Sequence, residues 1–209
     1  MPRAYLADLR QNYHGVMSVD VMPLGIGFMK AVMDRDVPGV ESRLFAYPDR
    51  LIDAITSEPP DVLMLSNYCW NEALSLAVAR RMKRIRPATL VVMGGPNLHL
   101  EDDRKIEYVA RHPELDVYAM GEADFLAADI VTQFQDAGLD LGRFRERPID
   151  SSLYRRPDSS VALTPVRDRR RDLDAIPSPW TTGVMDSFFD GKLSPTFVYQ
   201  SVPCRRRCT

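Results

Sequence analysis

The chain has 209 residues, 45% of them hydrophobic and 27% charged, with a formal net charge of −2 and a pI near 5.9. That length suits one ordinary domain with an extension, or two small ones, and is enough to bury a core without disulfides or metal. The charge gives no general attraction to nucleic acid or an anionic membrane, three cysteines make no disulfide framework, and no stretch approaches the roughly 18 apolar residues that span a bilayer.

Short apolar runs at residues 3–9 (RAYLADL), 42–47 (SRLFAY), 61–66 (DVLMLS), 89–95 (TLVVMGG) and 116–121 (DVYAMG) have strand length and end at Gly, Ser, Pro or a polar turn. Helical spacing fills the gaps. It is weak over Met22 to Arg35 and Asp49 to Ser57. It is clear for Leu74, Val78, Met82 and Ile85, and again for Leu126, Ile130 and Phe134. This alternation predicts an α/β domain over 1–138 with a doubly wound, five-stranded parallel sheet, Rossmann-like or flavodoxin-like, buried on both faces. Beyond Gly138 the periodicity fades. Residues 141–172 carry nine arginines and three prolines, which reads as an extended C-terminal linker over 139–195 with one short hairpin around SSVALTPV. Its RDRRR run reads as solvated surface.

Sheets of this kind bind ligands beyond the carboxyl ends of their strands. The segments there are DLRQNYHGVMS (8–18), SNYCWN (66–71), GGPNLH (94–99) and GEAD (121–124). Gly94 and Gly95 let the backbone approach a flat ligand, and Pro96 fixes the turn that follows. Ser66 and Asn67 place a hydroxyl and an amide at the mouth of a central strand. Gly121-Glu122 puts a carboxylate at a helix start. Each is also ordinary turn chemistry; together on one rim they make a candidate ligand site.

Several alternatives fail on the letters. GIGFMK (25–30) lacks the third glycine of a dinucleotide fingerprint, and there is no G-x-x-x-x-G-K-[ST] loop and no G-x-S-x-G elbow. Ser66 and Asn67 stand where a phosphoacceptor receiver needs aspartate. Cys69 reads as a small buried thiol rather than a nucleophile. His14, His99 and His112 are too scattered for a zinc site.

SNYCWN, a helix ending RRMKRIRP, then TLVVMGGP and LDVYAMGEAD resemble the cobalamin-binding domain that precedes the catalytic barrel in cobalamin-dependent radical S-adenosylmethionine enzymes. DLDAIPSPW and PTFVYQS resemble that family's linker and first barrel strand. The resemblance implies that Cys204 and Cys208 are the first two thiolates of a C-x-x-x-C-x-x-C motif for a 4Fe–4S cluster, with 196–209 as the start of the barrel. The third cysteine would fall beyond Thr209, so the resemblance implies a chain cut within the cluster loop. Alone it is then expected to bind cobalamin without turnover. Cluster and S-adenosylmethionine would belong to an intact longer protein, with the missing barrel as partner in cis.

By the same resemblance, cobalamin would contact Tyr13, His14, Gly15, Ser66, Asn67, Gly94, Gly95, Pro96, Gly121 and Glu122. The D-x-H-x-x-G motif of another cobalamin family is absent, since Asp8 and His14 are six apart. No histidine ligand to cobalt is therefore expected. The alternatives are a flavodoxin-like flavin- or nucleotide-binding domain and a ligand-free interaction module. A small-molecule cofactor is expected as partner, with no nucleic acid and no membrane. The N-terminus, MPRAYLADLRQNYHG, has no apolar core of signal-peptide length, which together with the cysteine usage makes the cytoplasm the expected compartment.

Overall fold

The structure, a computed structural model, describes residues 1–10, 12–13, 16–17, 21–191 and 193–195. In chain order these give β1 (Arg3–Ala7), a small hairpin of β2 (Asn12–Tyr13) and β3 (Val16–Met17), α1 (Leu24–Asp36), β4 (Glu41–Phe45), α2 (Pro48–Ser57), β5 (Val62–Ser66) and α3 (Glu72–Ile85). There follow β6 (Leu90–Gly94), α4 (Asp102–Arg111), β7 (Val117–Ala119), α5 (Ala123–Asp136), α6 (Leu141–Arg145), β8 (Ser152–Arg155) and β9 (Val161–Leu163).

The main sheet has the order β4-β1-β5-β6-β7-β8-β9. Its first five strands are parallel, as the alternation predicts. Successive strand residues point to opposite faces, and both faces are covered. Ala4, Leu6, Val62, Met64, Val92 and Val117 pack with Ile26, Val32 and Met33 of α1 and with Leu126, Ile130 and Phe134 of α5. Their neighbours Tyr5, Leu63, Leu65, Val91, Met93 and Tyr118 pack instead with Leu51 and Ile55 of α2, Leu76 and Met82 of α3, and Val109 of α4. Burial on both sides is why the strands read as continuous apolar runs.

The sheet has seven strands, two more than the expected five. The extra pair, β8 and β9, comes from the stretch expected to be an extended linker; β9 lies within the SSVALTPV segment where a short hairpin was expected, while its partner β8 precedes that segment. β8 runs antiparallel to β7, and β9 antiparallel to β8. An unpaired β7 edge would leave backbone donors and acceptors open to other chains, and this hairpin covers it. Leu153 enters one core, and Tyr154 and Ala162 enter the other. The arginines of this stretch also have structural partners. Arg155 donates to the carbonyls of Val109 at 2.8 Å, His112 at 3.2 Å and Leu115 at 3.3 Å. Arg145 and Lys83 both reach the Asp116 carboxylate, at 2.5 and 2.6 Å, while Asp116 also accepts from the Val91 N–H. Burial lowers the Lys83 ammonium pKa, and the Asp116 charge opposes that shift.

Further on, Met185, Phe188 and Leu193 pack on Met22 and Ala46, and Val21 bridges to Ser194. The chain thus returns to the amino end of α1. Among the described residues no helix is long and apolar enough to cross a membrane.

Candidate functional site: a groove at the carboxyl ends of the central strands

β1 has β4 on one side and β5 on the other, so the helical connections leave it towards opposite faces. A crevice opens at such a switch point, beyond the strand ends. Here it is a groove of about 760 Å³, within the usual range for small-molecule sites of about 300–1,000 Å³. Ile26 and Met29 of α1 and Phe125 and Leu126 of α5 form one wall. Met64, Val92 and Ala119 form the sheet side, and residues 166–170 cross above.

The lip is mostly glycine backbone. Ser66, Gly94, Gly95, Pro96, Gly121 and Glu122, all named from the sequence, line this one groove. At Gly95 φ is +137°, and an added Cβ would lie 2.4 Å from the Asn67 carbonyl oxygen. The Tyr118 hydroxyl donates to the Gly95 carbonyl at 3.0 Å from behind. Asn67 itself does not line the groove. It is fully buried, and its amide nitrogen donates to the Asn97 carbonyl at 2.9 Å and the Tyr118 hydroxyl at 3.0 Å. A polar residue at a strand end has two sides to choose from, and the Tyr108–Tyr118 pair on the α4 side supplies the partners. Both phenols have pKa values raised, chiefly by burial. Tyr13 lies in β2, without a described side chain, and His14, Gly15, Cys204 and Cys208 lie outside the described residues.

At the floor, Asp8 is held on all sides. Arg10 pairs with it at 3.1 Å, the Ser66 hydroxyl donates to it at 2.7 Å and the Asn71 amide at 3.3 Å. Arg10 also donates to the Val21 carbonyl at 3.1 Å, just ahead of α1. Asp8 and Arg10 are only 8% and 4% exposed. Next to them Tyr68 stacks on Trp70 at 4.4 Å, its phenol pKa raised by burial and then by the Asp8 charge. Cys69 is exposed, not buried as expected, because it sits at the tip of the β5–α3 turn.

The strap over the groove is the largest departure from the sequence reading. The RDRRR run is exposed, yet it lines the site and is fastened at several points. Arg167 pairs with Asp129 at 2.6 Å and Asp150 at 3.1 Å. Its backbone N–H donates to Ser151, and that of Arg170 to Glu122 at 3.1 Å. The Arg170 guanidinium lies 3.6 Å from the Phe125 ring centre, and Arg35 approaches the same ring at 5.9 Å. Arg35 also donates to the Ala175 carbonyl at 2.6 Å. An exposed cation–π contact contributes about 0.5–1 kcal/mol. Arg170→Ala should therefore speed hydrogen exchange of the strap amides by roughly threefold while leaving the melting temperature within a degree or two. An unchanged strap would mean that the stacking holds nothing.

No family model matches the chain. Over 181 residues, 82% of its length, it is 31% identical to 2-(S-pantetheinyl)-carbapenam-3-carboxylate methyltransferase of Streptantibioticus cattleyicolor. Over the same extent it is 28% identical to the cobalamin-dependent radical SAM methyltransferase TokK of Streptomyces tokunonensis. The chain spans 25% of the length of each of these relatives. Among solved structures it matches OxsB, a cobalamin-dependent S-adenosylmethionine radical enzyme with aqua-cobalamin and S-adenosylmethionine bound. That match has a TM-score of 0.64 and 13% identity, over 94% of this chain and 26% of that one. OxsB with aqua-cobalamin bound matches with a TM-score of 0.62, also at 13% identity, over 90% and 25%. At that identity the likeness is one of fold. The resemblance read from the loops holds: this chain is a relative of cobalamin-dependent radical S-adenosylmethionine enzymes, similar across 82% of its own length and spanning about a quarter of theirs.

Proposed function

We propose that the chain is the cobalamin-holding module of a radical S-adenosylmethionine enzyme, with the corrin over the glycine lip and the nucleotide tail in the groove between sheet and helices. In this reading 1–138 form the parallel-sheet body of the module, 139–195 complete it with the β8–β9 hairpin and the strap at 166–170 and then lead onward, and 196–209 begin the barrel. Cys204 and Cys208 then supply two of three cluster thiolates in a longer protein. We place it in the cytoplasm, where such thiols stay reduced.

The observation that carries the reading is the groove at the switch point with Gly94, Gly95 and Gly121 at its mouth. Residues without side chains suit a broad planar group, and the walls of Ile26, Met29, Met64 and Leu126 suit an apolar body. Methionine adapts its shape to such a surface. Bound cobalt can carry a methyl group for transfer. This chain's own residues have more modest tasks. The Asp8–Arg10–Ser66–Asn71 cluster fixes the floor, Tyr118 and Asn67 hold the lip, and residues 166–170 limit water above.

Titration with hydroxocobalamin, followed by its visible spectrum, tests the reading. Saturable binding is expected. A dissociation constant weaker than about a millimolar, roughly 4 kcal/mol, rejects it. Saturable flavin or nucleotide binding instead would favour a flavodoxin-like module that shares only the strand order. No stabilisation by any of these ligands would leave an interaction module, because a ligand that binds only the folded state raises its stability.

A further inference from the structure

Most polar side chains lining the groove have partners within the protein. Asp8 is held by Arg10, Ser66 and Asn71, and Glu122 accepts from the Arg170 N–H. Ser151 accepts from the Arg167 N–H, and Arg167 itself is paired with Asp129 and Asp150. Arg170 lies on Phe125, and Tyr68 on Trp70. Asp168 and Arg169 are exposed on the strap. Asp124 differs from all of these. It is half-buried in the groove wall, in the first turn of α5, and among the described residues its one hydrogen-bond partner is its own backbone N–H.

We propose that Asp124 is the residue by which this groove reads a primary amide on its ligand's edge. This rests on the cobalamin reading, since a corrin carries primary amides around its rim. A carboxylic acid offers one donor and one acceptor on adjacent oxygens, and a primary amide offers the complementary pair, so the two close a ring of two hydrogen bonds. An ionised carboxylate keeps only the acceptor half of this pair: it takes the amide N–H but gives nothing to the amide oxygen.

Two features move Asp124 towards the acid form. Burial, then the neighbouring Glu122 charge, raise the Asp124 pKa above the ordinary carboxyl value, opposed by the hydrogen bond from its own backbone N–H. Other titratable groups reach the groove from each side. Asp8 and Tyr68 come from the strand ends, and Arg167, Asp168, Arg169 and Arg170 from the strap. The α1 wall, with Gly25, Ile26 and Met29, brings none. A ligand seated in the groove removes more water and raises the Asp124 pKa further.

The test is the hydroxocobalamin titration repeated across a pH series on the wild-type chain, Asp124→Asn and Asp124→Leu, with melting temperatures as a fold control. Wild-type affinity should fall as pH rises and Asp124 loses its proton. Asp124→Asn, which keeps a donor and an acceptor, should bind about as well as the wild type does at acid pH, and without that pH dependence. Asp124→Leu should be weaker by about tenfold at acid pH, the effect of losing one good hydrogen-bond pair. Identical affinities and pH slopes in all three chains would overturn the Asp124 assignment while leaving the cobalamin reading intact. A wild-type chain that binds no cobalamin would remove both.

Discussion

Gly95→Val is expected to destabilise the protein by at least about 3 kcal/mol, seen as a melting temperature lower by roughly 6–12 °C. Two effects combine. A φ of +137° is open to glycine but not to a β-branched residue. In addition, the new Cβ would stand 2.4 Å from the Asn67 carbonyl oxygen and 3.0 Å from its backbone nitrogen. Neither atom can yield cheaply. The Asn67 N–H donates to the Gly94 carbonyl at 2.6 Å, and its carbonyl accepts from Asn97. The fitting control is Gly25→Ala on the same groove. Nothing lies within 4 Å of its added Cβ, and its helical position favours alanine by up to about 1 kcal/mol. A Gly95→Val chain as stable as the wild type would mean that the lip is soft and can rearrange.

Asp8→Ala should cost about 4 kcal/mol, because it leaves the buried Arg10 guanidinium without its counter-charge. Arg10 is 4% exposed, and its Nε has no hydrogen-bond partner among the described residues. The Ser66 hydroxyl would lose its acceptor as well. Replacing both charges, as in Asp8→Ala with Arg10→Met, should restore most of the loss, since an apolar pair of similar bulk avoids stranding a single charge. Chemical denaturation of the two single variants and the double measures this coupling. Additive losses would show that the ion pair does not organise the groove floor.

The parallel sheet was legible because its strands are buried on both faces. LVVM and VLML carry no alternation to confuse the reading, and α3 and α5 show their apolar faces plainly. α4 is not apparent from spacing. Val109 is its one fully buried residue, and EDDRKIEYVAR reads as surface. β8 was lost among arginines, since a residue such as Arg155 looks solvated until its guanidinium is seen capping the carbonyls of 109, 112 and 115. The same applies to the site. Gly94, Gly95 and Gly121 stood out as strand-end glycines. The strap at 166–170 carries no local signal that it folds back over a groove built from residues 8 to 126. Asn67 was read as facing the ligand because a strand end alone does not say which side offers it partners. Asp124 lies within the GEAD turn, but what sets it apart from Glu122 is its burial with no side-chain hydrogen bond to another described residue.

The central claim is that a cobalamin sits in this groove, at the carboxyl ends of β5, β6 and β7. The most direct measurement is the map of backbone amide NMR shifts as hydroxocobalamin is added to the chain. Shifts centred on Ser66, Gly94 to Pro96 and Gly121 to Phe125, with α2 and the outer face of α4 unmoved, are the predicted result. Shifts on the α2–α4 side, or none at saturating cobalamin, would contradict it.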